Sequence, residues 1–297
     1  MSKGVFTTKP DPTYDDLPEF RYHFPRTYLN QAKETVGDWI VYYEPRRESS
    51  DLSGRGGRQA YFATARVSRI EEDSEHPGHF YAFVTDYIEF ENPVSFRSGS
   101  VYLEGGLKKS DGSTNKGAFG RSVRRLPEAE YQAILALGFT THLARPSRDD
   151  VPEGEDTGLY DREWRETVVS RPVRDAAFQR NVRLVYDSTC AMTGLRLING
   201  GGRCEVEAAH IQPVGDDHNG PDSIRNGIAL SRTIHWMFDR GILSLSDDYD
   251  ILTAPSCPDT TVGTLLNPNK KLRLPDDPLA RPHPRFLRYH RERVFKG

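Results

Sequence analysis

The chain of 297 residues is long enough to form two domains. Its composition, 36% hydrophobic and 28% charged residues with a net charge of −3, is typical of a soluble globular protein and argues against a surface coated with nucleic acid. The sequence has no run of about 18 apolar residues and no apolar leader, so we expect neither a membrane helix nor a signal peptide, and we expect a cytoplasmic location.

The first half of the sequence predicts a β-rich domain over residues 24–143, preceded by a loose arm. The arm, residues 1–23, is rich in Pro and Asp and has little periodicity. A helix is predicted over residues 127–139, where Pro stands at the start and Gly near the end. Strands are predicted by runs of Val, Ile, Tyr and Phe, which suit pleated surfaces: DWIVYYE (38–44), QAYFATARVSRI (59–70) and HFYAFVTDYIEF (79–90).

Residues 144–160 predict a linker, because they combine Pro, Gly and acids with very few apolar residues. A second domain is expected over residues 161–297. It opens with a helical pattern in which Phe178, Val182 and Val185 form one apolar stripe. Further elements are predicted in three segments: two short strands around a Gly-rich turn at 194–211, a helix within 226–243 and a hairpin at 243–254.

Four polar residues of the second half carry a chemical pattern: His210, Asn226, His235 and Asp239. His210 ends a predicted strand, whereas His235 and Asp239 are four residues apart and share one face of a predicted helix. An imidazole and a carboxylate on one face can bind a divalent cation such as Mg²⁺, Mn²⁺, Ni²⁺ or Zn²⁺. Such a cation beside a neutral histidine suits phosphodiester hydrolysis, in which the histidine takes a proton from water.

Each of these residues also has a structural interpretation. A histidine at a strand end is often only structural, and a His–Asp pair on a helix is often a surface ion pair. Asn226 precedes Gly227, and this dipeptide by itself is a turn signal. The residue types and spacing alone leave both interpretations open.

Four segments in order resemble the HNH, or ββα-metal, nuclease motif: CAMTG (190–194), EAAHIQP (207–213), DSIRNGIAL (222–230) and HWMFDRGIL (235–243). The variant is similar to HNH domains of bacterial restriction endonucleases. The resemblance implies that His210 is the general base and that Asn226 holds the loop that positions it. It also implies that His235 binds the metal and that Asp239 occupies the position of a second helix ligand.

The residue before the expected base departs from the motif. Many HNH domains carry an Asp or His ligand there, and this chain has Ala209. The metal would therefore be held by His235 and Asp239, with water and phosphate completing its coordination. Glu207 is predicted to be a poor substitute, because it lies three residues from His210 and should point to the opposite strand face. His218 is predicted to be a spectator.

The cofactor that the resemblance implies is a divalent metal, with Mg²⁺ as the first choice and Mn²⁺ or Ni²⁺ as alternatives. No structural zinc is expected, because the three cysteines, Cys190, Cys204 and Cys257, include no CxxC pair. Small buried thiols are the favoured interpretation of Cys190 and Cys204.

The first half resembles the EVE-like branch of the PUA superfamily. This resemblance implies a β-barrel-like fold that takes a modified nucleobase into an aromatic cage. Trp39 is the first candidate for the cage, with Tyr43 on the same strand face. Arg121, Arg124 and Arg125 are candidates for DNA phosphate contacts, although solvated surface arginine is an equal interpretation. Three segments carry the resemblance: GDWIVYYEPRR (37–47), GRQAYFATARVSRI (57–70) and HFYAFVTDYIEFENPVSF (79–96).

Together the two halves predict an α+β protein with an EVE-like β-barrel domain and a C-terminal ββα-metal domain. The combination resembles a modification-dependent restriction endonuclease that flips 5-methyl- or 5-hydroxymethylcytosine out of double-stranded DNA. One HNH site cuts one strand, so a homodimer is expected. Two alternatives are a modified-nucleic-acid binding protein with a degenerate HNH domain, and an HNH nuclease without modification dependence.

Overall fold

The chain divides into two compact units, Met1–Val173 and Arg174–Gly297. The predicted linker at 144–160 lies outside the described residues, so the domain boundaries stay a prediction. No described helix is long and apolar enough to cross a membrane. The computed structural model describes residues 2–8, 15–45, 59–99, 101–139, 171–199, 201–215, 218–257 and 262–297.

The first unit is a mixed six-stranded sheet, curled into a half-barrel, with short helices. The strand order is β2-β5-β4-β3-β1-β8, and the β1–β3 pair is parallel. Together with the second unit, which combines helices with short strand pairs, this confirms the predicted α+β class. The described elements are β1 (Lys3–Thr7), β2 (Arg21–Pro25), α1 (Leu29–Glu34), β3 (Trp39–Glu44), β4 (Ala60–Glu72), β5 (His79–Ser95), β6 (Arg97–Ser98), β7 (Val101–Tyr102), α2 (Lys116–Phe119), β8 (Val123–Leu126) and α3 (Glu128–Gly138).

The three predicted strands and the predicted helix of this unit are confirmed as β3, β4, β5 and α3. Alternation along β3 directs Ile40 and Tyr42 into an apolar core with Phe6. The other face of the sheet is covered by α3, which packs on β4 and β5. The Tyr131 hydroxyl of α3 lies 3.0 Å from the Thr64 hydroxyl of β4, so the two layers are joined by a buried hydrogen bond.

The expectation of a loose N-terminal arm is wrong, because β1 and the first three residues of β2 fall within residues 1–23. β1 lies inside the sheet, where Val5 pairs with Val41 of β3 on one side and with Arg124 of β8 on the other. Its Val5 and Phe6 side chains are fully buried. Both partner strands are remote in the sequence, so tertiary packing and not local propensity fixes this strand.

The second unit contains a two-stranded hairpin flanked by helices. The helix predicted at the start of this unit and the hairpin predicted at 243–254 are confirmed. The two strands predicted at 194–211 are found only in part: a strand forms at the end of this segment, Glu207–His210, but pairs with Gly227–Leu230, and across the Gly-rich turn Ile198 and Cys204 make an isolated antiparallel bridge. The described elements are α4 (Arg171–Val185), β9 (Glu207–His210), β10 (Gly227–Leu230), α5 (Arg232–Asp239), β11 (Leu243–Leu245), β12 (Ile251–Thr253) and α6 (Pro284–Arg293).

β9 pairs with β10, and α4 packs closely against the start of β10. A Cβ atom at Gly227 would lie 2.3 Å from Val182 Cγ2 and 3.0 Å from Phe178 Cε2. Only glycine fits this approach, because both neighbouring side chains project from a packed helix. The apolar stripe predicted on this helix therefore sets the distance between α4 and the hairpin.

The packing of α6 on α5 makes the second unit sensitive to acid. His290 is 2% exposed, and its ring stacks on Phe238 with centroids 3.8 Å apart. Ser244 Oγ lies 2.9 Å from Nδ1, and the Phe238 carbonyl lies 3.2 Å from Nε2. Burial lowers the pKa of His290 from 6.5 to about 4, although the hydrogen bond to Phe238 opposes this shift.

We therefore expect the second unit to lose about 2 kcal/mol of unfolding free energy between pH 7 and pH 5 through His290 alone. The folded-state pKa is depressed, so this stability is complete above pH 6.5 and is lost as the pH falls towards 4. Urea unfolding of the wild type and of His290→Leu at the two pH values measures it. The variant should show a smaller loss, whatever its absolute stability. Equal pH dependence in the two proteins would contradict the assignment.

Candidate functional site

The predicted strand–strand–helix order is present around His210. β9 ends at His210, which pairs with Gly227 at the start of β10. α5 follows β10 after one residue, Ser231. The hairpin and the helix thus bring the predicted site residues of the second half, which are spread over 30 sequence positions, into one region.

Asn226 ties together the two ends of the loop between β9 and β10. Its side chain is fully buried. The Oδ1 atom accepts a hydrogen bond from the Gln212 amide at 2.8 Å. The Nδ2 atom donates to the carbonyls of Gln212 and Pro221, each at 2.9 Å. These three bonds are the contacts that a loop-holding residue requires, because they fix the backbone on both sides of the loop.

His210 lies between an aromatic ring and a buried carboxylate. Its ring stacks on Phe178 of α4 with centroids 3.8 Å apart and planes at 10°. Its Nε2 lies 3.0 Å from Asp222 Oδ1. Both contacts orient the imidazole, which keeps 20% of its side-chain surface exposed. Sequence reasoning missed Asp222, whose signal was an acid four residues before Asn226, indistinguishable there from other loop acids.

Asp222 is held in its ionised form. Burial raises its pKa, but the hydrogen bond from His210 and the nearby Arg174 together outweigh burial, and the pKa lies below its ordinary value. Arg174 Nη2 lies 3.0 Å from Asp222 Oδ2. An ionised Asp222 only accepts hydrogen bonds, so Nε2 of His210 donates to it, and in the neutral form of the imidazole Nδ1 has the lone pair.

His235 and Asp239 lie on one face of α5, with His235 Nε2 at 3.4 Å from Asp239 Oδ2. Glu207 was predicted to point away from the site, and this expectation is wrong. Its Oε2 atom lies 3.0 Å from His235 Nδ1, and its Oε1 atom lies 3.1 Å from Arg232 Nε. The alternation rule gives the face from which a side chain leaves the strand, but a long glutamate still reaches the neighbouring helix.

Both histidines influence the pKa of Asp239. Burial is the largest influence and raises the pKa of Asp239, and Glu207 adds to this increase. His235 and His210 oppose it through their charge. Both histidines thus lie close enough to Asp239 to influence its pKa.

Residues 190–246 match the family described as "HNH endonuclease". The matched segment contains the hairpin, the loop held by Asn226 and helix α5. Residues 190–246 form an HNH endonuclease domain. The enzyme class that the sequence resemblance predicted, an HNH endonuclease, is confirmed by this match. No curated protein matches the chain.

Solved structures similar to the chain include two restriction endonucleases and one McrB domain. The modification-dependent TagI restriction endonuclease is 16% identical and is matched over 98% of this chain and 81% of its own, with a TM-score of 0.33. The N-terminal domain of Staphylothermus marinus McrB is 14% identical over 46% of this chain and 94% of its own (TM-score 0.30). The type IV phosphorothioation-dependent enzyme ScoMcrA is 16% identical over 78% and 46% (TM-score 0.21).

HNH nucleases use a divalent metal, and the HNH domain offers donors of a suitable kind. Imidazole nitrogen and carboxylate oxygen suit Mg²⁺, Mn²⁺, Ni²⁺ and Zn²⁺. Glu207 and Asp239 contact opposite nitrogens of His235, so the three side chains do not converge on one point. Ala209 is fully buried in the hairpin and offers no donor. Glu207 is thus a third donor side chain beside the two predicted ligands.

His218 makes structural contacts. Its Nδ1 lies 2.9 Å from the Tyr289 hydroxyl of α6, and its carbonyl accepts a hydrogen bond from Gln212 Nε2 at 2.5 Å. These contacts fit the predicted spectator role.

In the first unit, Trp39 and Tyr43 differ in accessibility. The register shift at Tyr42 and Tyr43 adds one residue, Phe62, to β4 and none to β3, so the alternation along β3 puts Trp39 and Tyr43 on the same side. Tyr43 is fully buried against Tyr61, at 5.2 Å, and Phe119, at 5.8 Å. Tyr43 is therefore not accessible as a cage residue, because no base can stack on its ring in this arrangement. Trp39 is partly exposed and remains a candidate.

The three candidate phosphate-binding arginines also differ in accessibility to solvent. Arg121 is exposed and Arg125 pairs on the surface with Glu34. Arg124 is buried, and its Nε and Nη2 donate to Glu104 at 2.8 Å each. Its assignment as a phosphate contact is therefore corrected, since its charge is already matched inside the fold.

Proposed function

We propose that the protein is a divalent-metal-dependent DNA endonuclease that cuts double-stranded DNA carrying 5-methyl- or 5-hydroxymethylcytosine. The observations that support the nuclease chemistry best are His210 at the end of β9, held 3.0 Å from Asp222, and the pair His235 and Asp239 on α5, the helix that follows the paired strand β10. This is the arrangement that phosphodiester hydrolysis needs: a proton acceptor beside the donors for a cation.

In the proposed reaction His210 is the general base. Asp222 holds the Nε2 proton, so Nδ1 takes a proton from the attacking water as the new phosphorus–oxygen bond forms and the bond to the leaving oxygen breaks. Asn226 is a positioning residue, because it fixes the loop that carries Asp222 towards His210. His235 and Asp239 would hold the metal, and Glu207 is available beside them.

The metal, when bound, would polarise the scissile phosphate and stabilise charge on the leaving oxygen. We propose Mg²⁺ as the physiological ion, with Mn²⁺ or Ni²⁺ as alternatives. The two half-exposed carboxylates of Glu207 and Asp239 provide the negative charge that such a cation requires.

Modification dependence is proposed for the first unit. Its support is the sequence resemblance to EVE-like domains, together with a curled sheet rich in aromatic side chains. In this proposal the modified cytosine flips out of the duplex and stacks in the first unit, with Trp39 as the candidate contact. Arg121 and Arg125 remain proposed phosphate contacts on the surface. The homodimer also stays a prediction, because one HNH site cuts one strand.

A digestion panel tests the proposal. Phage DNAs containing cytosine, 5-methylcytosine, 5-hydroxymethylcytosine or glucosylated hydroxymethylcytosine are incubated with the protein and Mg²⁺, Mn²⁺ or Ni²⁺. We expect cleavage of methylated or hydroxymethylated DNA to be at least about tenfold faster than cleavage of unmodified DNA, which corresponds to about 1.4 kcal/mol of discrimination.

The same panel separates the alternatives. Equal cutting of modified and unmodified DNA would contradict modification dependence and leave an HNH nuclease of broader substrate range. Retention of modified DNA without nicking in any of the metals would favour a binding protein with a degenerate HNH domain. The His210→Ala protein serves as the control for contaminating nuclease.

A further inference from the structure

A second cluster of metal-ligating side chains lies in the first unit, in the sheet that is proposed to read DNA. Among the described residues, His23, Asp73 and His76 are the group whose ligand atoms all lie within 4.8 Å of one another. His23 Nε2 lies 3.0 Å from Asp73 Oδ2, and His76 Nδ1 lies 2.8 Å from the same oxygen. His23 and Asp73 are buried, whereas His76 is exposed.

The fold builds this cluster from two elements. His23 lies on β2, the edge strand that pairs with β5, and Asp73 and His76 lie in the turn that joins β4 to β5. Asp73 Oδ1 accepts a hydrogen bond from the Glu75 amide at 2.8 Å, which fixes the carboxylate and directs Oδ2 towards the two imidazoles. The His23 ring is stacked on Tyr81, with centroids 4.5 Å apart.

We propose that His23, Asp73 and His76 form a Zn²⁺ site that clasps the edge strand β2 to the β4–β5 turn. Tetrahedral zinc with ligand distances of about 2.0–2.2 Å places ligand atoms about 3.3–3.6 Å apart. The two separations from Asp73, 3.0 and 2.8 Å, and the separation between the two imidazoles, at most 4.8 Å, reach that range through side-chain rotation. Two imidazoles with one carboxylate favour zinc over Mg²⁺ or Ca²⁺, which prefer oxygen donors.

Water fills the fourth position in this proposal. His79 is the nearest further imidazole, with ring centroids 5.2 Å from His23 and 6.4 Å from His76. The sequence prediction of no structural zinc rested on cysteine spacing. It did not reveal this cluster, because His23 is far from Asp73 in the chain. The competing interpretation is a hydrogen-bonded triad in which Asp73 accepts from two histidines and no metal binds.

Measurement of zinc binding to the full-length protein distinguishes the proposed zinc site from the metal-free hydrogen-bonded triad. The starting protein carries His235→Ala and Asp239→Asn, so that the nuclease site does not contribute, and it is freed of metal with a chelator after removal of any affinity tag. Zinc titration with a chromogenic competitor should then give one ion per chain. Cobalt substitution should give the visible absorption of a tetrahedral centre, and zinc should raise the melting temperature.

His76→Ala in the same background decides the assignment, because an exposed side chain can be removed without disturbing the core. We expect it to weaken zinc binding by at least about tenfold and to abolish the zinc-dependent rise in melting temperature. Glu75→Ala, an exposed neighbour in the same turn, is the matched control and should bind zinc like its parent. Asp73→Asn should also lose zinc if it folds.

Two results would overturn the zinc site. One is a starting protein that binds no zinc at micromolar concentration and gives no cobalt spectrum, which would leave the hydrogen-bonded triad. The other is a His76→Ala protein that retains zinc with unchanged affinity, which would place the ion elsewhere. Both results are independent of DNA cleavage and do not bear on the proposed nuclease.

Discussion

His210→Ala is expected to lower the rate of DNA cleavage by about 10²–10⁴-fold while DNA binding is preserved. The imidazole is the proposed proton acceptor for water, and no other described side chain is stacked on Phe178 and held by Asp222 as His210 is. Single-turnover nicking of a labelled modified duplex measures the rate. Fluorescence anisotropy with the same duplex measures binding.

His218→Ala is the matched control for this substitution. It removes a second histidine close to the same loop, and its ring contacts Tyr289 of α6. We expect its nicking rate to stay near that of the wild type. A His210→Ala protein that cuts as fast as the wild type would show that the base is assigned wrongly. Parallel loss of cleavage and binding in both variants would indicate a folding defect instead.

The short-range part of the site could be predicted from the sequence. His235 and Asp239 share a helix face because four residues make about one turn. Asn226 precedes Gly227 in a turn signal, and in the structure it ends the short turn that leads into β10. These relations depend on neighbours in the chain. Accordingly, Asn226 contacts the loop that it was predicted to hold, and His235 and Asp239 contact each other on the predicted helix.

The long-range part could not be predicted. Asp222 contacts His210 because the β9–β10 loop folds back, and the loop folds back because buried Asn226 binds both of its ends. Gly220 belongs to the same fold-back, since a Cβ atom there would lie 1.9 Å from the Gln212 carbonyl oxygen. Each contact depends on the closed loop, so no spacing rule in the linear sequence reports it.

In the first unit, the strands with strong Val, Ile, Tyr and Phe content were predictable, but their neighbours in the sheet were not. β1 is a five-residue strand whose partners, β3 and β8, are set by tertiary packing. The burial of Arg124 follows from this arrangement. Arg124 stands opposite Val5 in the β1–β8 pair, so one arginine of a basic run is buried while its neighbours Arg121 and Arg125 stay exposed.

Arg124→Ala is expected to reduce the unfolding free energy of the first unit by about 3–5 kcal/mol, the usual effect of breaking a buried ion pair. The guanidinium donates to both oxygens of Glu104, and also to Thr7 Oγ1 at 2.8 Å and the Arg121 carbonyl at 3.0 Å. Its removal leaves the Glu104 charge buried, with the Tyr61 hydroxyl still donating a hydrogen bond to Oε1 at 2.5 Å. Urea unfolding measures the change.

Arg121→Ala is the matched control, since it removes an exposed arginine from the same basic run and should change stability by no more than about 0.5 kcal/mol. Replacing both partners, with Arg124→Met and Glu104→Gln, should recover part of the lost stability, because no uncompensated charge then remains buried. If Arg124→Ala were as stable as Arg121→Ala but bound DNA more weakly, Arg124 would be a phosphate contact after all. A large loss of stability instead leaves Arg121 and Arg125 as the arginines of this run that can meet DNA.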